Sequence, residues 1–187
     1  MAPALAGCTD YPGKGVDWSN CRKRNVVLSG NDFSGANLEQ ADFLGSDLRQ
    51  TDLSKVNMTK ARLTRANISE SVLEGANLNR VEATRMVMKN SKAAGANFEK
   101  AEMFRSILSD SDLSGANLSK SELSRADLSG TNLQGAIMSL ANLARVKFEG
   151  ANLTNTDMAE SWTYRTDFTG TDLSGVKNLV QRQLDLA

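Results

Sequence analysis

The sequence predicts an all-β solenoid, a chain wound into stacked coils. Three observations predict it: an apolar residue at every fifth position over 150 residues, a small residue two places before each, and side chains that recur at intervals of twenty. From Val26 the chain divides into fives without insertion or deletion: VVLSG, NDFSG, ANLEQ, ADFLG, SDLRQ, and onward to TDLSG at 171–175. The 150 residues make thirty units of five. At their centres, from Leu28 to Leu173, only Ala83, Ala93 and Thr163 are not Leu, Ile, Phe or Met. The residue two before each centre is Ala, Ser, Thr or Val except at Asn31 and Met86.

A period of five fits neither the 3.6 of a helix nor the 2 of an uninterrupted strand. In extended backbone, residues two apart face the same way, so the small and the large apolar residue both point inward. The residue between them, mostly Asp or Asn, points out, and the last two residues of the unit turn a corner. Such a unit buries its apolar residue only if the chain winds around a common axis. The coil size follows from Arg65, Arg85, Arg105, Arg125, Arg145 and Arg165, and from Asn37, Asn57, Asn77, Asn97 and Asn117, all at intervals of twenty. Twenty residues are four units, hence four sides, and thirty units make about 7.5 coils. At about 4.8 Å between stacked strands the rod is roughly 36 Å long.

The motif A(D/N)Lxx resembles the repeat of the pentapeptide-repeat family over positions 26–175, with Val16-Asp17-Trp18-Ser19-Asn20 as a degenerate unit one coil earlier. The resemblance implies a right-handed quadrilateral parallel β-helix, in which each repeat contacts mainly its neighbours. Some family members resemble DNA in shape and charge and inhibit DNA gyrase. That role implies a strongly acidic rod, commonly a dimer, with projecting loops in the quinolone-resistance members. This chain has 22 basic and 22 acidic residues, an Arg edge and no insertion within the thirty units.

The ends of a solenoid must be capped. Residues 1–25, with Tyr11 and Trp18, are expected to form an N-terminal cap segment before the 26–175 β-helix. Val176, Leu179, Val180, Leu184 and Ala187 follow helical spacing, so 176–187 is expected to be a short C-terminal capping helix. Leu179–Asp185 also looks like the terminal segment of other pentapeptide-repeat proteins. A monomer, or a dimer through the C-terminal end, fits this arrangement. Within the core, Ala83 and Ala93 leave space while Met86 is oversized; with Met88 and Phe98 they are expected to interlock.

Cys8 and Cys21 are the only cysteines. Their spacing is not that of a zinc or redox CxxC site; they are free thiols or one disulfide, the latter in an oxidising compartment. Ala4-Leu5-Ala6 matches a small-x-small cleavage site, and Leu5-Ala6-Gly7-Cys8 resembles a lipobox. Export to the periplasm is favoured over a cytoplasmic location.

No stretch of 18 apolar residues predicts a membrane-spanning helix. The chain has no His, so the commonest general base and metal ligand is missing. Phosphate-loop and dinucleotide glycine patterns are missing too, and acidic side chains project outward from a filled rod. No catalytic residue, cofactor or metal is expected. The candidate interaction residues are the six arginines of the ladder, with Lys60, Arg80, Lys100 and Lys120 one corner away. Glu82, Glu102 and Glu122, three residues before Arg85, Arg105 and Arg125, are expected to pair with them. Trp162 and Tyr164 beside Arg165 have the composition of a protein contact, or pack on the C-terminal cap. The expected function is a non-catalytic rigid scaffold or protein-interaction module with an unknown protein partner. Net neutrality argues against nucleic acid. The alternatives are DNA-mimicking inhibition of gyrase and polyanion binding through the Arg ladder.

Overall fold

The computed structural model describes residues 7–179. Its architecture is a parallel β-helix in which every bridge joins residue i to residue i + 20, from Asp17–Asn37 to Asp157–Lys177. Four units complete one coil, and each unit contributes a single bridged residue at its second position. We number the sides from the units that build them: side 1 from 26–30 and every twentieth residue on, side 2 from 31–35, side 3 from 36–40 and side 4 from 41–45.

Backbone hydrogen bonding explains the five-residue period. In unit 36–40, the Asn37 amide donates to Val16 O one coil back (2.9 Å), while the Leu38 and Gln40 amides donate to Asn57 O and Thr59 O one coil on (2.7 and 2.9 Å). The Ala41 amide returns to Leu38 O at 3.1 Å, with Gln40 at φ 56°, the pattern of a type II turn. This fifth position is left-handed at corner after corner, for glycines such as Gly115 and for non-glycines such as Arg105 alike.

The amide at the fourth position of the unit has no backbone partner. The Asp or Asn at the second position accepts it: Ser34 N to Asp32 Oδ1 (2.8 Å), Ser54 N to Asp52 (2.9 Å), Glu99 N to Asn97 (3.0 Å). That is an Asx turn, and it is the physical reason for the Asp/Asn consensus. On side 3 the same asparagines form a ladder between coils: Asn57 Nδ2 donates to Asn37 Oδ1 at 3.2 Å and Asn97 to Asn77 at 3.3 Å. At the first position of side 2, Ser71, Ser91 and Ser111 are buried and donate to the central carbonyls Leu48 O, Ile68 O and Met88 O.

The central residues fill the axis; Leu48, Phe98, Leu113, Leu133 and Phe148 are fully buried. In the irregular coil, Ala83, Met86, Met88, Ala93 and Phe98 are likewise fully buried.

The ladder reaches beyond 26–175 at both ends. Asp17 and Arg22 are already bridged, and the Gly15 amide donates to Ser34 O at 3.0 Å. Backbone pairing does not require consensus side chains, so Trp18 and Lys23 occupy inward positions of the first coil. Trp18 is buried against Phe33, ring centroids 5.4 Å apart. Lys23 lays its ammonium 3.5 Å from the Trp18 ring centroid and donates to Cys8 O at 2.8 Å. Burial holds its pKa below the usual lysine value, partly offset by Asp10. Cys8 and Cys21 are joined as a disulfide, their Cα atoms 5.4 Å apart. This lysine over an aromatic ring closes the N-terminal end of the core.

At the other end, Val176 and Lys177 do not begin the expected helix. Lys177 is bridged to Asp157, its amide donating to Thr156 O at 2.8 Å, and Asn178 turns left-handed at φ 61°. The apolar spacing of 176–179 is overridden by unpaired backbone of the preceding coil, which binds Lys177 as one more rung. The rest of the expected capping helix, 180–187, lies outside the described residues. Among the described residues no helix is long and apolar enough to cross a membrane.

Candidate functional site: the fourth side

The fold prescribes two side-chain identities at the surface: Asp or Asn at the second position for the Asx turn, and Gly or Asn at the left-handed fifth position, where other residues are strained. Side 3 keeps the first rule through Asp17, Asn37, Asn57, Asn77, Asn97 and Asn117. The fifth position of side 2 keeps the second with Gly15, Gly35, Gly75, Gly95, Gly115 and Gly135, Lys55 being the exception. Side 4 breaks both. Its second positions are Arg22, Asp42, Arg62, Glu82, Glu102, Glu122, Asn142 and Trp162. Its fifth positions are Asn25 and Gly45, then Arg65, Arg85, Arg105, Arg125, Arg145 and Arg165, with φ between 55° and 61°.

The ladder arginines are all exposed along one corner, a column about 25 Å long at about 4.8 Å per coil. The expected pairing with Glu82, Glu102 and Glu122 does not form. Among the described residues no ladder arginine lies within ion-pair distance of a carboxylate. The reason is direction: second-position side chains run along the side toward the same position of the neighbouring coils. Glu82 therefore accepts from Arg62 Nε at 3.0 Å, and Glu122 accepts from Asn142 Nδ2 at 2.8 Å and from Ser124. Fourth-position aromatic rings meet the corner instead. Arg105 and Arg125 lie 5.0 and 6.0 Å from the Phe104 ring centroid, and Arg165 lies 5.2 Å from that of Tyr164.

Near the N-terminal end the charges of side 4 do neutralise one another. Asp42 accepts from both Arg24 and Arg62. Burial would raise the Asp42 pKa, but the Arg24 hydrogen bond, the Leu44 amide and the Arg62 charge hold it below the usual carboxylate range. Lys60, Arg80, Lys100 and Lys120 line the opposite edge of side 4, where Lys100 and Lys120 share Glu99 at 3.1 and 3.8 Å.

Counted by units, side 4 holds ten basic residues (Arg22, Lys23, Arg24, Arg62 and the ladder) against four acidic ones (Asp42, Glu82, Glu102, Glu122), a formal +6 on a chain of net charge zero. The even composition conceals this segregation; sorting charges by position modulo twenty reveals it.

Trp162 and Tyr164 are 63% and 38% exposed on the same side. Two apolar residues that sequence reasoning missed lie nearby in the coil pattern: Leu140, 49% exposed at the left-handed corner leading into side 4, and Ile137, 42% exposed on side 3. Leucine at a position that favours glycine was the available signal. Val27, Val87 and Ile107 stand apart on side 1.

A shallow recess of about 440 Å³ beside Lys14, Asp32, Asp52 and Lys55 is lined by carboxylates already accepting turn amides. Among the described residues no three His, Cys, Asp or Glu side chains converge on a possible metal position.

The family model for pentapeptide repeats matches eight copies over residues 14–45, 41–80, 87–119 and 121–158. The chain belongs to the pentapeptide-repeat family. With that membership the solenoid is a right-handed β-helix. Similar solved structures include HetL of Nostoc sp. strain PCC 7120, a pentapeptide repeat protein involved in heterocyst differentiation regulation (24% identity, 87% of each chain, TM-score 0.36). A trypsin-treated variant of QnrB1, a plasmid-mediated fluoroquinolone resistance protein, is 20% identical over 92% of this chain and 87% of that one, TM-score 0.39. A pentapeptide repeat protein of the Arabidopsis thaliana thylakoid lumen is 28% identical over 72% and 66%, TM-score 0.32. No curated protein matches the sequence.

Proposed function

We propose that this protein is a non-catalytic, rigid interaction module that presents side 4 to an acidic surface of a protein partner. The observation that carries the reading is the charge segregation of side 4, a formal +6 whose six ladder arginines carry no ion pair among the described residues. Where Asx and Gly would serve the backbone, this side holds charged and aromatic groups, and local rules are broken chiefly where function requires it. The filled axis and outward carboxylates support a binding role over catalysis. The Cys8–Cys21 disulfide suits an oxidising compartment, which supports export over a cytoplasmic location.

The test is salt-dependent retention on immobilised poly-glutamate. The wild type binds at low salt. Arg85→Gln/Arg105→Gln/Arg125→Gln loses binding, while Lys55→Gln/Lys92→Gln on side 2 keeps it. Equal retention of both variants, or none by the wild type, counts against the proposal. A second reading, binding of a non-protein polyanion, rests on the same unpaired ladder; heparin retention that exceeds retention on poly-glutamate, and that is lost in Arg105→Gln/Arg125→Gln, selects it. Gyrase mimicry is disfavoured by a +6 side. Inhibition of supercoiling at stoichiometric protein would reinstate it.

A further inference from the structure

Among the described residues, the four exposed large apolar residues of the C-terminal half lie on two neighbouring coils, spread from side 3 around the entry corner and across side 4. Trp162 stands at a second position, bridged through its backbone to Asn142, and Tyr164 is two residues on. Leu140 occupies the corner that enters side 4 one coil earlier, and Ile137 lies just around it. Leucine at φ 59° gains nothing for the backbone. Trp162 and Tyr164 flanked by Arg145 and Arg165 have the composition of a binding hot spot, with the half-exposed Leu140 extending its apolar area. The charge around the cluster is one-sided. Beyond Glu122 the second positions of side 4 are Asn142 and Trp162, so no carboxylate follows on that side, while Arg145 and Arg165 carry no ion pair among the described residues. The nearby acids lie away from the arginine edge: Glu160 in the corner column of Leu140, where Lys120 stands one coil earlier, and Asp157 on side 3, bridged to Ile137. An apolar floor is thus bordered by the unpaired Arg145 and Arg165 on one edge and by mixed charge on the other.

We propose that this end of side 4 anchors an acidic peptide segment of a partner, with one large apolar side chain of the segment seated on Trp162 and Leu140 and its carboxylates on Arg145 and Arg165. The proposal rests on the basic-side reading and adds what that reading lacks, a fixed register: an arginine column alone would let an acidic chain slide. The occupant is acidic because the flanking arginines are unpaired, and it carries an apolar anchor because an all-polar segment would leave the indole and the leucine exposed.

The experiment measures anisotropy of two labelled peptides, Glu-Asp-Asp-Phe-Glu-Asp-Glu and the same peptide with Ser in place of Phe, against the full chain. The Phe peptide is expected to bind about tenfold or more tightly than the Ser peptide. Trp162→Ala and, separately, Leu140→Ser should bring the ratio to within about twofold while leaving Ser-peptide binding unchanged; Arg145→Gln/Arg165→Gln should weaken both peptides. Equal binding of the two peptides to the wild type, or discrimination that survives both apolar substitutions, overturns the anchor and leaves the basic-side reading standing. Binding of neither peptide at low salt overturns both. Sedimentation showing a wild-type dimer that Trp162→Ala dissociates overturns the peptide and makes the cluster a contact between copies. Circular dichroism melts of each variant, unchanged from wild type, exclude unfolding as the cause of a lost ratio.

Discussion

Replacing Arg145 by glycine should make the protein more stable, and that expectation tests the central argument about side 4. Arg145 is exposed, left-handed at φ 58°, and without an ion pair among the described residues. Removing its Cβ relieves about 1–2 kcal/mol of left-handed crowding; the looser unfolded chain of a glycine variant takes back about 0.5–1 kcal/mol. The net gain is about 0.5–1 kcal/mol, or about 1–4 °C in Tm for a chain of this size. The reverse experiment is Gly115→Ala, at φ 63° with open space where the Cβ would stand, which should lose a similar amount. Thermal melts followed by circular dichroism near 218 nm read both. If Arg145→Gly lowers the Tm, the guanidinium is serving the fold, and the inference that side 4 gives up stability for recognition fails.

Truncating the core at Leu113→Ala, between the bridged coils of Ala93 and Leu133, should cost about 2–5 kcal/mol in urea unfolding; a loss below about 1 kcal/mol would mean the axis is loosely filled. Asn97→Ala removes the acceptor of the Glu99 amide and one rung to Asn77, so about 1 kcal/mol should disappear, whereas an unchanged midpoint would show that solvent serves the turn equally well. Asp17, Asp47 and Asp172 have pKa values held below the usual carboxylate range, by the Ser19 amide, by the Arg49 side chain and by the Ser174 hydroxyl respectively, as the leading causes. Depressed folded values contribute stability above the unfolded carboxylate pKa of about 4 that is lost as pH falls through the folded values. Tm should therefore be level from pH 7 to about 5 and drop below about 4; a rise on acidification contradicts the capping account. Reducing Cys8–Cys21, thirteen residues apart, should remove about 3 kcal/mol, read as a lower Tm with a phosphine reductant.

Most of the fold is visible in the letters because each coil repeats the same requirement. Leu28 and its successors every fifth residue mark the axis, and Arg65 to Arg165 mark the coil length, since only residues twenty apart share a column. What the letters hide is pairing that depends on side-chain direction. Glu82 is close in sequence to Arg85, yet it serves Arg62 because second-position side chains run along the axis. The first coil escapes the consensus for a related reason: Trp18 and Lys23 violate the small-and-large pattern but keep the backbone bonds that define a rung. At the C-terminal end, four residues of apolar spacing carried too little information to outweigh a waiting row of backbone donors and acceptors.

Neutral composition was the weakest guide to the candidate site, and the geometry explains the failure. In a globular domain, scattered charges of both signs blur into one average. In a solenoid, every fourth unit returns to the same side, so a bias at one position of the repeat is multiplied along a column. Side 2, opposite side 4, holds Asp32, Asp52, Glu74, Asp112 and Asp172 against Lys14, Lys55 and Lys92, a formal −2. The two sides face opposite directions across a packed core about 10 Å thick, so through the salt solution around the rod they lie farther apart than the Debye length of about 8 Å that screens exposed charges. The far carboxylates therefore cannot cancel the near guanidinium groups, and a molecule approaching side 4 meets the local +6 rather than the global zero. Recognition by such a rod is a property of its sides, and the charge that matters is the charge of a column.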